Sequence, residues 1–201
     1  MNTIEIKIKG KIKTFKDIFF YAKKQFLAYE KIEGINNLDD FSIDCAVDQI
    51  KFKDMLQIRF VEELCEATEA IDCKQHFYEE VTDAMNFLLS TYIMAGIDLN
   101  TLPDPNKLII SEGNIPTTES ECALLFFPLI FRCGMICNLL KNRPWAQSNY
   151  LVSLLDFNNE IQKLWIQFWE MMGQIGLKEE QLAQLFEQKY EVNKWRIKTG
   201  Y

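Results

Sequence analysis

One twelve-residue pattern occurs twice in this chain, seventeen residues apart. Residues 60–71 read FVEELCEATEAI and residues 77–88 read FYEEVTDAMNFL. The shared form is F-x-E-E-[LV]-x-[ED]-A-x-x-x-[IL], without gaps. At about 100° per residue, Phe60, Leu64, Ala67 and Ile71 fall on one apolar stripe, and Phe77, Val81, Ala84 and Leu88 on another. Glu63 and Glu80 lie roughly 70° from the centres of their stripes, on the same side in both copies. Glu66 and Asp83 follow three residues on, where helix side chains are neighbours. A helix is the structure that gives this order to both copies, and the short stretch between them predicts antiparallel packing.

Antiparallel packing lets the two carboxylate pairs face each other. Either segment alone reads equally well as a solvated acidic face. The repetition, the common phase and the short connection favour a joint site. Four carboxylates around one volume repel strongly unless something neutralises them. A hard divalent cation does so, and Mg²⁺ takes oxygen ligands while leaving room for water and phosphate groups. Glu63, Glu66, Glu80 and Asp83 are therefore the candidate metal ligands. Glu62 lies further from the stripe and is a candidate outer carboxylate; Glu79 reads as solvated.

The rest of the chain supports an all-α bundle of about six helices. Only 8 Gly and 5 Pro occur among 201 residues, too little punctuation for a turn-rich β fold. Helical patterns run over Thr14–Ile32, Gln49–Ile71, Gln75–Ala95, Glu119–Lys141, Ser148–Gly173 and Lys178–Lys198. Residues 1–13 alternate apolar and polar side chains and predict a short strand or hairpin. Residues 98–118, with Pro103, Pro105, Gly113 and Pro116, predict an irregular linker or a loop over a site. The expectation is one domain over 1–201.

A net charge of −7 gives no general attraction for nucleic acid. Phosphate handling by so acidic a chain calls for a cation. The six cysteines form no C-x-x-C pair and read as reduced core residues. With no apolar leader in the first residues, they predict a cytoplasmic setting. Ala123–Leu140 is apolar but carries Arg132 and Pro128 and barely reaches the ~20 residues of a span. It is read as a buried core helix or helix pair, not a membrane segment.

Two motifs then acquire a common meaning. Glu62-Glu63-Leu64-Cys65-Glu66 followed by Glu80-Val81-Thr82-Asp83 resembles the EExxE…ExxD signature of the all-α NTP pyrophosphatases, the superfamily of MazG and the dimeric dUTPases. The ending from Lys189 to Tyr201 (KYEVNKWRIKTGY) resembles the K-N-x-x-N-x-x-R-x-x-x-G-Y ending of the dimeric dUTPase and phage dCTPase branch. Tyr190 departs from it, and the link between the acidic helices lacks that branch's Trp.

The resemblance implies Mg²⁺-dependent hydrolysis of a nucleoside triphosphate to monophosphate and pyrophosphate, with dUTP or dCTP as pyrimidine candidates, by a homodimer. It implies Lys189, Asn193 and Arg196 as phosphate contacts; they also share a helix face at i, i+4 and i+7. Gln25, Asn36–Asn37 and Asn86 are candidates for reading the base. Glu63 or Glu62 would orient the attacking water. Competing readings are a MazG-like pyrophosphatase of other nucleotides and a non-enzymatic helical interaction protein. A di-iron bundle needs Glu-x-x-His motifs, which the single His76 does not provide; His76 is expected at the surface or as a helix cap.

Overall fold

The computed structural model describes residues 10–32, 42–110, 113–140 and 152–200. Most of the strand-like N-terminal segment, Asn36–Asn37 and Tyr201 lie outside the described residues. The described chain is an all-α bundle. Its helices are α1 (Phe15–Ile32), α2 (Ala46–Lys53), α3 (Phe60–Glu69), α4 (Lys74–Met94), the single turn α5 (Pro105–Leu108), α6 (Glu119–Leu139), α7 (Leu154–Gln174) and α8 (Glu179–Thr199). A π-helical stretch, Asp54–Arg59, joins α2 to α3 without a break. Counting α2 to α3 as one rod, six long helices stand among the described residues, at the places the apolar periodicity assigns.

Both repeat copies bury the expected stripe except at Ile71, which lies past the end of α3 in the turn and is only partly buried. Phe60, Leu64, Ala67, Phe77, Val81, Ala84 and Leu88 are all at most 1% exposed. The turn 70–73 brings α4 back along α3, and these two pack together more extensively than any other pair. Behind them, aromatic rings from α1 and α7 interlock. Phe15 meets Trp169 edge-on at 4.9 Å, and Trp165 bridges Phe19 and Tyr92. Such tilted and edge-on pairs suit the ring quadrupole.

Helix α8 is tied to α1 at its start. Glu179 Oε1 accepts the Phe15 N–H at 2.7 Å, satisfying one of the donors that every helix N-terminus leaves free. α8 ends on Gly200, whose φ of 68° is left-handed. Glycine takes this conformation without the cost a Cβ imposes. α8 packs alongside α1 and α4.

Two expectations need correction. Cys122, Cys133 and Cys137 are buried, but Cys45, Cys65 and Cys73 are exposed; Cys65 shares the outer side of α3 with its acidic residues. Nor is α6 a wholly buried core helix. Cys122, Phe126, Leu129, Cys133, Ile136 and Cys137 pack inward, while Leu124, Phe127 and Phe131 face outward. α6 is the one described helix with the length and apolarity of a membrane span, and a third of its most apolar window is buried. Its Arg132 is matched to Glu160 of α7.

The 98–118 region is anchored rather than free. The Trp165 Nε1–H donates to the Pro103 carbonyl at 2.8 Å, and α5 packs on α7. A Cβ at Gly113 would lie 1.6 Å from the Gln174 carbonyl oxygen, so only glycine lets the backbone pass there. None of its described residues lines the cavities beside the repeat.

Candidate active site

The repeat brings three carboxylates together. One oxygen from each of Glu63, Glu66 and Glu80 lies within 4.8 Å of the others. Glu63 is half-buried, Glu66 exposed and Glu80 buried. Glu63 shares a hydrogen bond with Glu80. Burial, and then the charges of Asp83, Glu66 and Glu80, push the Glu63 carboxyl up to about 8. The cluster thus retains a proton where ordinary carboxylates have lost theirs.

Asp83, the fourth carboxylate of the pattern, is engaged elsewhere. Lys189 of α8 pairs with it through Nζ and Oδ2, and the Asn86 amide sits 3.5 Å from its other oxygen. Burial raises Asp83 against the pull of Lys189. For Lys189, burial opposes the charge, but the Asp83 carboxylate outweighs it and the net shift is upward. Glu62 is exposed and faces Arg59 at 3.4 Å, outside the three-carboxylate group. Gln75 donates to Glu79 at 2.8 Å, and Glu79 borders a neighbouring cleft instead of standing fully solvated.

Two adjoining cavities open beside the acidic group. The first, about 350 Å³, is lined by Gln25, Phe26 and Tyr29 of α1, Met55 of the π stretch, Glu63, Asp83, Asn86 and Phe87, and Asn193 and Arg196 of α8. The second, about 480 Å³, holds Glu79, Asp83, Gln188, Lys189, Asn193 and Arg196. Asp83, Asn193 and Arg196 border both. The candidate phosphate residues therefore sit within one concave region next to the carboxylates, with Gln25 and Asn86 on its wall. The Gln25 Oε1 is buried without a hydrogen-bond partner, and such an acceptor carries a desolvation cost until a donor reaches it.

Sequence reasoning missed three features. The π stretch places Met55 in the cavity; its extra residue per turn leaves no apolar signature. Tyr29 and Phe87 line the cavity as aromatics at ordinary helical spacing. His76 is at the surface as expected, not a helix cap, and its Nε2 stands 2.7 Å from Glu80 Oε1. The i,i+4 spacing was visible in the sequence, but only the fold gives Glu80 its place in the cluster.

Fold and site together define an all-α protein whose carboxylate cluster opens on a cavity with amide, aromatic and cationic walls. The chain belongs to the dUTPase family: the family's model matches residues 67–201. That span takes in Glu80, Asp83, Asn86, Lys189, Asn193 and Arg196, and begins just after Glu63 and Glu66. No curated protein and no solved structure matches the chain.

Proposed function

We propose that the chain hydrolyses a pyrimidine deoxynucleoside triphosphate, such as dUTP or dCTP, to the monophosphate and pyrophosphate with Mg²⁺. The observation that carries this reading is the cluster of Glu63, Glu66 and Glu80 within 4.8 Å, beside a cavity lined by Asn193 and Arg196. The donor set is all carboxylate oxygen, which suits a hard cation and offers nothing to a softer one. Burial first, and then the neighbouring charges of Asp83, Glu66 and Glu80, hold a proton on Glu63 to about pH 8, and a cation would relieve the repulsive part of that shift.

When bound, Mg²⁺ supplies Lewis-acid polarisation of the phosphoryl oxygens and cancels charge. Glu63, Glu66 and Glu80 hold it in this reading. Asp83, paired with Lys189 in the free protein, would be a fourth holder of the ion, and Lys189 and Arg196 would face the leaving pyrophosphate. Glu63, which lines the cavity, would take the proton from the attacking water. The base enters between Gln25 and Asn86, whose amides each offer a donor and an acceptor. Tyr29 and Phe87 supply flat apolar surface.

The protein acts as a homodimer in this reading, through the exposed face of α6, and its exposed unpaired cysteines suit the reducing cytoplasm. The test is a panel of nucleoside triphosphates incubated with Mg²⁺, reading monophosphate and pyrophosphate. Release of inorganic phosphate instead, or full activity in Glu80→Gln, would overturn the assignment.

A further inference from the structure

We propose that His76 is a positioning residue for the acidic cluster, holding the Glu80 carboxylate in the orientation a divalent cation needs. The inference rests on the cation reading above. His76 Nε2 stands 2.7 Å from Glu80 Oε1. The imidazole side chain is 57% exposed, while that of Glu80 is 12% exposed. An ionised carboxylate only accepts hydrogen bonds, so the Nε2–H is the donor.

Local helix physics gives His76 no other reason to be there. It sits in the first turn of α4, where the helix dipole disfavours positive charge. That turn carries no acidic residue, and the N-cap, Cys73, makes no side-chain capping bond. His76 is instead one turn before Glu80, on the side facing the cluster. Glu80 is the most buried of the three clustered carboxylates, and both His76 and Glu63 are hydrogen-bond neighbours of it.

This arrangement has a definite consequence. A glutamate side chain has several rotors, and an unheld carboxylate loses that freedom when it captures a cation. A donor fixed on Oε1 settles the plane of the group beforehand. Partners one bond removed from a metal act in this way and commonly change affinity by 10–100-fold when removed. His76, being at the surface, is placed at the lower end of that range.

The test uses the full chain, with Mg²⁺ and Mn²⁺ as probes, by titration calorimetry at a fixed pH above 7.5. His76→Ala is expected to weaken cation binding about tenfold. His76→Gln, which keeps a donor, is expected to recover most of it. Alanine is the better helix former, so fraying of α4 cannot cause the loss; circular dichroism checks this. Binding by His76→Ala within twofold of the wild type overturns the proposal. If that happens while Glu80→Gln loses the ion, the cation site stands and only the role of His76 falls. If the wild type shows no saturable binding, the cation reading fails and takes this one with it.

Discussion

Lys189 of α8 pairs with Asp83 of α4, 106 residues away in the chain, and so joins the C-terminal motif to the second copy of the repeat. Both side chains are about three-quarters buried. The pair has two readings in the proposed cycle: a structural tie in the free protein, and a cation released toward phosphate when substrate arrives.

Lys189→Ala tests both. Removing the lysine leaves a largely buried carboxylate unpaired, which is expected to cost about 1–3 kcal/mol of stability, read by urea unfolding. Turnover is expected to fall about 10²–10³-fold if the ammonium also faces the leaving group. A purely structural tie predicts the stability loss with turnover restored at low temperature, where the variant is fully folded.

Glu63 makes stability depend on pH in an unusual direction. Its carboxyl is raised from 4.5 to about 8 in the fold. Below pH 4.5 both folded and unfolded chains hold this proton. Between 4.5 and about 8 the folded chain holds it and the unfolded chain does not, so this group's contribution falls as pH rises. The melting temperature of the metal-free protein is expected to drop from pH 6 to pH 8.5, and Glu63→Gln to flatten that drop. Mg²⁺ displaces the proton, so its affinity should rise over the same window and the wild-type melting temperature should recover.

If Gln25 reads the base, as proposed above, it sets recognition against stability. Its buried Oε1 has no partner in the free protein. Gln25→Met, of similar shape but without the orphaned acceptor, is expected to stabilise the free protein by about 1 kcal/mol. The same change should raise KM for the preferred nucleotide and narrow its advantage over other bases. Thermal unfolding and a substrate panel read the two effects separately. An unchanged panel would remove Gln25 from base recognition.

The repeat was legible because helical periodicity and charge spacing are local properties, and α3 and α4 bury the stripes it assigned. The junction of α1 and α8 was not legible. It depends on Glu179 accepting from Phe15 and on α8 packing against both α1 and α4, contacts that no period encodes. No spacing links Gln25 to Asn86 in the sequence, and only the bundle brings them to one cavity. Asp83 shows the reverse case: its spacing assigns it to the acidic group, yet Lys189 engages it from a helix whose position the spacing does not specify. The anchoring of 98–118 was likewise hidden, since a glycine there signals a loop in any case.

The exposed face of α6 leads to the last prediction. Leu124 is 79% exposed, Phe127 65% and Phe131 54%, with Ile130 and Met135 beside them. They follow one side of a helix whose only basic residue, Arg132, is paired with Glu160. Together they present on the order of 500 Å² of apolar surface, as large as the biggest patches on ordinary monomers. An anionic membrane would meet no free cation on α6 and the acidic Glu119 and Glu121 at its start, so charge opposes that use. Two copies packed across a twofold axis would bury about 1,000 Å² from these five residues alone, the lower bound for a specific interface. The double variant Phe127→Glu, Phe131→Glu is expected to be a folded monomer where the wild type is a dimer, measured by light scattering after gel filtration. A monomeric wild type, or a variant that still dimerises, would place the interface elsewhere or remove it.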